Sequence, residues 1–170
     1  MENEDKVRKL RLALFFDGAN HSAALQKAKV RMEYPSLIES LNEKFFVVSA
    51  RYYTGISDDD EHRGVRDFLG SLSKSGFVIV KKPVRHFPDG KIKGNVDIEI
   101  AVDMLQMAPR LDRVVLFSGD GDFTYLVDAV QRMGVHVTVC SHKPLASIEL
   151  RDQCNEFLEI KEIMNYAAHH

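Results

Sequence analysis

Cysteine is scarce in this chain of 170 residues: Cys140 and Cys154 are the only two, and they form no CxxC pair. That count does not build a disulfide framework, and it fits a reducing compartment. Long apolar runs are missing too. Nothing is long enough to span a membrane, and Leu12 to Phe16 is far too short for a signal-peptide core. The expected location is therefore cytoplasmic, with no membrane partner. An excess of positive charge is also absent. Lys and Arg total 23 against 25 Asp and Glu, a net charge of -2. Nothing pulls the whole molecule toward nucleic acid, so such binding would rest on a local patch or on metal ions. The phosphate-cradling pattern GxxxxGK[ST] and the dinucleotide pattern GxGxxG do not occur. Zinc lacks support: Cys140 and His142 lie close in sequence, but no second pair has finger-like spacing. No internal repeat, low-complexity tract or clear linker interrupts the chain.

What is present is enough for one domain with a real core, at 45% hydrophobic and 28% charged residues. The informative stretch is Arg113 to Phe123, RVVLFSGDGDF. Val114-Val115-Leu116-Phe117 is a short apolar run rich in β-branched and aromatic residues. It predicts a strand buried on both faces. Ser118-Gly119-Asp120-Gly121-Asp122 makes a turn, and Phe123, Leu126, Val127, Val130 and Met133 then recur at helical spacing until Gly134. The same grammar appears at the start: the strand Leu10 to Phe16 runs into Asp17-Gly18-Ala19-Asn20. Further strands are expected at Phe46–Thr54, Phe77–Val80, Val135–Cys140 and, shortest, Phe157–Ile160. Helical patterns separate them, opened by Pro35, by the acidic run Asp58-Asp59-Asp60-Glu61 and by Asp97. Residues 21–32 read equally as short helix or loop. Alternating strands and helices predict a doubly wound parallel sheet, whose ligands bind at the carboxyl edge.

Carboxylates on three segments are expected at that edge: Asp17, Asp97, and the pair Asp120 and Asp122. Each has a structural alternative. Asp17 fits a turn, Asp122 fits a helix cap, and Asp97 fits a first-turn acid. Capping explains each acid alone, but not several beside strand ends that are neighbours. Asp103 lies roughly 120° around the helix from Asp97 and is the weakest candidate. Oxygen-rich clusters suit Mg²⁺ or Mn²⁺, ions that support phosphodiester hydrolysis. Asn20 and Ser118 are expected to orient a water or a phosphate oxygen. His21 and His86 fall near the acids and are read as surface residues. Between Lys81 and Lys93 a hairpin-like excursion turns at Pro88-Asp89-Gly90 and carries Lys81, Lys82, Arg85, Lys91 and Lys93. This basic segment would suit a nucleic-acid backbone, with a solvated edge hairpin as the plainer reading.

FFDGAN at 15–20, KGNVDIEIAVDML at 93–105 and LFSGDGDFTYLVDAVQRMG at 116–134 resemble the three signature blocks of the NYN domain. More narrowly, they resemble its LabA-like branch within the PIN-like nucleases. The resemblance covers residues 10–163. It implies a single-domain PIN-like α/β fold, with a mostly parallel sheet of five to six strands in the order 3-2-1-4-5. It implies one or two Mg²⁺ or Mn²⁺ ions on Asp17, Asp97, Asp120 and Asp122, with Asn20 at the family's polar position. It implies RNA, expected to be single-stranded, as substrate. Gly121 stands where Ser is common in the branch. No organic cofactor is expected, and a homodimer is allowed. Residues 1–9 are expected to be flexible, and 164–170 read as a C-terminal tail with the look of a cloning remnant.

Other chemistries fit less well. A haloacid-dehalogenase-type phosphotransferase needs a second acid two residues after the first, where this chain has Ala19. A nucleophilic Ser or Cys triad has only isolated residues to draw on. The remaining alternative to a metal-dependent ribonuclease is a catalytically weak or inactive NYN-like module that binds RNA or a protein in regulation.

Overall fold

The computed structural model describes residues 8–57 and 63–170. The acidic run Asp58-Asp59-Asp60-Glu61 lies outside the described residues.

The first strand, β1 (Leu10–Asp17), shows why the fold has three layers. Every residue from Leu12 to Phe16 is fully buried. Leu12, Leu14 and Phe16 enter one hydrophobic core, while Ala13 and Phe15 enter another. Side chains alternate across a strand, so a continuous apolar run must be covered on both faces. α1 (Gly18–Ala28) and α2 (Tyr34–Lys44) follow, so the ambiguous 21–32 stretch is helix to residue 28 and loop beyond it. β2 (Phe45–Ile56), α3 (Arg63–Lys74) and β3 (Val78–Pro83) complete the first half. A small antiparallel hairpin comes next, β4 (Arg85–His86) with β5 (Ile92–Lys93). The second half runs through α4 (Asp97–Met107), β6 (Arg113–Phe117), α5 (Thr124–Arg132), β7 (His136–Ser141), α6 (Ile148–Gln153) and β8 (Glu156–Glu159).

Six strands form one sheet in the order β3-β2-β1-β6-β7-β8, and all its pairings are parallel. Without the hairpin strands, this is the expected order carried one strand further. The shortest expected strand is found as β8, paired with β7. β6 divides its side chains as β1 does, with Val115 and Phe117 in the first core and Val114 and Leu116 in the second. The chain therefore reverses direction of growth at the β1–β6 boundary, the switch point at which a crevice opens.

The segment read as a tail packs. Ile160–His169 winds into a 3-10 helix that buries Ile163, Tyr166 and Ala167. Tyr166 stacks on Phe45 and shares a hydrogen bond of 3.0 Å with Thr138. Ile163 and the pair Tyr166 and Ala167, three and four residues on, find apolar cover there, so the packed chain runs past residue 163. Among the described residues no helix is long and apolar enough to cross a membrane.

Candidate metal centre

The two strand ends at the switch point place the acids. Asp17 closes β1, and Ser118-Gly119-Asp120 follows β6, which pairs with β1 up to Phe16 opposite Phe117. Asp17 occupies the N-cap position of α1 but makes no capping hydrogen bond there. Its Oδ2 accepts instead from Ser118 Oγ at 2.9 Å and from Asn20 Nδ2 at 2.8 Å. Asn20 and Ser118, expected to orient a water or phosphate oxygen, thus direct these donors at Asp17. The reason is proximity, since both side chains lie within hydrogen-bond reach of one buried carboxylate. Asp17 is 3% exposed. Burial raises its pKa, the Ser118 and Asn20 bonds pull it down, and the nearby Asp120 charge raises it again.

The turn after β6 is held from several sides. Ser118 Oγ accepts the Asp120 N–H at 3.2 Å, and Ser147 N–H donates to the Gly119 carbonyl at 2.9 Å. A Cβ on Gly119 would lie 2.8 Å from the Leu145 carbonyl oxygen and 2.9 Å from Ala146 Cα. Those are backbone atoms, so the position admits only glycine without a shift. Asp120 caps the 3-10 turn Gly121–Phe123 by accepting the Asp122 N–H at 2.9 Å. The capping role open to Asp122 as its structural alternative therefore belongs to Asp120, because a 3-10 turn precedes α5 and moves the helix start.

Asp97 is the first residue of α4, and its Oδ2 accepts from Asn95 Nδ2 at 3.0 Å. Asp97, Asp120 and Asp122 each offer a carboxylate oxygen, and these oxygens lie within 4.8 Å of one another. Asp17 joins Asp97 and Asp120 in lining a hollow of about 140 Å³ over the sheet's carboxyl edge. The Asp97 pKa is pushed from 3.8 up to about 6, first by burial and then by the charges of Asp17, Asp120, Asp122 and Glu99. Like charges gathered this closely would be offset by a bound cation. The donor set is all oxygen, which suits a hard divalent cation that keeps part of its water shell. Asp103 is elsewhere: it accepts from Arg51 at 2.9 Å and from the Tyr53 hydroxyl at 2.8 Å.

His21, read as a surface residue, is 1% exposed. Its Nε2 meets the Tyr34 hydroxyl at 3.0 Å, and its ring lies edge-on to Phe16 at 5.0 Å and to Phe117 at 5.4 Å. Burial pushes its pKa down to about 3, which favours the neutral ring among these aromatic neighbours. His86 is exposed, as expected.

The basic segment is a real hairpin, and its cations divide. Lys82 pairs with Glu99 at 2.9 Å, and Lys91 pairs with Asp89 at 3.3 Å. Lys93 lies 5.9 Å from the centre of the Phe87 ring. Arg85 and Lys93 stand opposite each other across β4 and β5, while Lys81 is exposed on β3. Asn95, absent from the residues expected at the site, both bonds Asp97 and lines the acidic hollow. Its sequence signal is weak, an amide two residues ahead of a first-turn acid.

The profile of the NYN domain matches residues 11–161. This chain belongs to the NYN domain family. Membership places it in the PIN-like nuclease superfamily. The chain is similar to the low amplitude and bright protein LabA of Synechococcus elongatus, with 32% identity over 94% of this chain and 88% of that protein. It is also similar to a protein of unknown function from Vibrio parahaemolyticus. That crystal structure superposes with a TM-score of 0.79 at 32% identity, covering 96% of this chain and 98% of the other. The NYN fold and the LabA-like resemblance read from the three sequence blocks are thus both found.

Proposed function

We propose that this NYN domain is a divalent-metal-dependent ribonuclease that hydrolyses phosphodiester bonds of single-stranded RNA. The observation that carries the reading is the convergence of Asp97, Asp120 and Asp122 within 4.8 Å, at the open end of the β1–β6 boundary. Asp97, Asp120 and Asp122 would hold Mg²⁺ or Mn²⁺, and Asp17, which lines the same hollow, would add its charge. Such an ion lowers the pKa of water and offsets charge on a leaving oxygen. The chain's own work is positional. Ser118 and Asn20 fix one Asp17 oxygen, Asn95 fixes one Asp97 oxygen, and the Asp120 cap fixes the turn that carries Asp122. Arg85, Lys91 and Lys93, with Lys81 and Lys82, would attract the RNA backbone, whose phosphates the acids alone would repel.

The test is incubation of the purified protein with single-stranded and structured RNAs, in Mn²⁺ and in EDTA, beside Asp120→Asn. Cleavage confined to wild type with Mn²⁺ supports the reading. Equal cleavage by the variant would assign the activity to another site.

One observation favours a second reading, an NYN module that binds RNA or a protein without turnover. Asp120 already serves as a cap and Asp17 as a hydrogen-bond hub, so both have structural work without an ion. RNA binding with no cleavage under any divalent metal would favour it.

A further inference from the structure

A second hollow, of about 490 Å³, lies between the hairpin, the end of β3 and the start of α4. That volume falls in the range of small-ligand pockets, roughly 300–1,000 Å³. Its walls are of two kinds. Ile92, Ile98 and Pro83 are apolar, while Arg85 and Lys93 are cationic. Ile92 is 66% exposed and Ile98 is 68% exposed, so both isoleucines offer bare apolar surface. Ile98 stands outside the core cluster that Ile100 and Met104 join. Arg85 and Lys93 are cross-strand partners on β4 and β5. Like charges directly opposite destabilise a hairpin, so this pairing favours an anion between them. The hairpin is also anchored. Val84 N–H donates to the Ile56 carbonyl at 2.8 Å, and a Cβ on Gly94 would come within 2.7 Å of Val84 Cγ2.

This hollow adjoins the acids. Gly94 and Asn95 line both it and the smaller hollow that contains Asp17, Asp97 and Asp120. We propose that the 490 Å³ hollow is a nucleotide subsite. One base of a single strand lies against Ile92 and Ile98, its phosphate sits between Arg85 and Lys93, and the next phosphate reaches the acidic centre. Asn95 offers an amide at the shared wall, to a base edge or a ribose hydroxyl. The proposal rests on RNA being the ligand of the acidic site. It adds that affinity comes from a base as well as from the backbone.

The test compares a short fluorescent single-stranded RNA with an abasic strand of the same backbone. Binding is measured in EDTA, so that cleavage plays no part. Wild type should prefer the base-bearing strand about fivefold, the scale expected from burying part of an exposed isoleucine side chain's apolar surface. The double variant Ile92→Ser, Ile98→Ser should lose that preference while binding the abasic strand as wild type does. Both positions are exposed, and an unchanged melting temperature checks the fold. Arg85→Ala should weaken both strands alike. Equal binding of the two strands by wild type, or a preference that survives the double variant, overturns the subsite. No binding of either strand overturns it together with the RNA reading. A base preference in a protein that never cleaves RNA keeps the subsite and removes the ribonuclease.

Discussion

The Ser118 hydroxyl donates to Asp17 at 2.9 Å, across 101 residues of sequence and across the boundary between the two halves of the sheet. Each residue sits one step past the last β1–β6 pair, Phe16 with Phe117. This bond ties the two strand ends into one unit and sets where the buried carboxylate points. Asn20 adds a second donor to the same oxygen.

Ser118→Ala removes that donor and leaves no group of similar reach in its place. An unmet hydrogen bond at a buried carboxylate costs about 1–3 kcal/mol. Urea unfolding at neutral pH should show a loss in that range. Because the Ser118 bond holds the Asp17 pKa down, the deficit should shrink as the pH is lowered and Asp17 takes up a proton. A loss independent of pH would mean that the bond does not act on the charge.

Asp120→Asn separates a charge cluster from a set of caps. Asparagine keeps an oxygen that can accept the Asp122 N–H, so the turn retains its cap. The variant removes one of the like charges around Asp97. Its melting temperature in EDTA should equal or exceed that of wild type. In millimolar Mg²⁺ or Mn²⁺ wild type should gain stability by mass action, and the variant much less. Clear destabilisation of the variant in EDTA, with no metal shift in wild type, would leave Asp120 as a turn residue.

The pH response of Asp97 has a definite sign. Its carboxyl is raised from 3.8 to about 6 in the folded protein, first by burial and then by neighbouring acids. The folded state therefore binds this proton more tightly than the unfolded chain does. Its contribution to stability is complete below pH 3.8 and is lost as the pH rises through about 6. Asn at position 97 mimics the neutral form at every pH. In EDTA the melting temperature of Asp97→Asn, relative to wild type, should climb across that window and then level off. A constant difference from acid to neutral pH would contradict the stated environment.

Charge pairing grades the hairpin lysines. Lys82 is offset by Glu99, and Lys91 by the exposed Asp89. Lys93 faces Arg85 and no acid across the hairpin. If the hairpin follows the RNA backbone, Lys91→Ala with Lys93→Ala should weaken binding. The log–log salt dependence should flatten by about 0.7 for each phosphate that is no longer neutralised. Most of that change should come from Lys93. Fluorescence anisotropy across a salt series reads both quantities, and an unchanged slope would move the RNA path elsewhere.

The legible parts of the molecule were those written in local pattern. The apolar runs at Leu12–Phe16 and Val114–Phe117 signalled doubly buried strands, and the acids after them marked the carboxyl edge. The hairpin was legible through Pro88-Asp89-Gly90. What stayed hidden depends on residues distant in sequence. His21 reads as polar, yet Phe16, Tyr34 and Phe117 enclose it once β1, α2 and β6 assemble. Ser118 and Asn20 read as groups that orient a water or a phosphate oxygen, and only the fold shows that both donate to Asp17. The assignment of the cap to Asp120 turned on a single 3-10 turn, a shift that helical periodicity does not register. Tyr166 signals packing only beside Phe45 and Thr138, both far from it in sequence.

The proposed metal site requires that Asp97, Asp120 and Asp122 together hold a divalent cation. Anomalous scattering from crystals soaked in Mn²⁺ tests it most directly. A peak bounded by carboxylate oxygens of these three residues, at about 2–3 Å from the nearest, is expected in wild type and should be lost in Asp120→Asn crystals. Manganese seated away from the three acids, or none at all in soaked crystals of wild type, would contradict it.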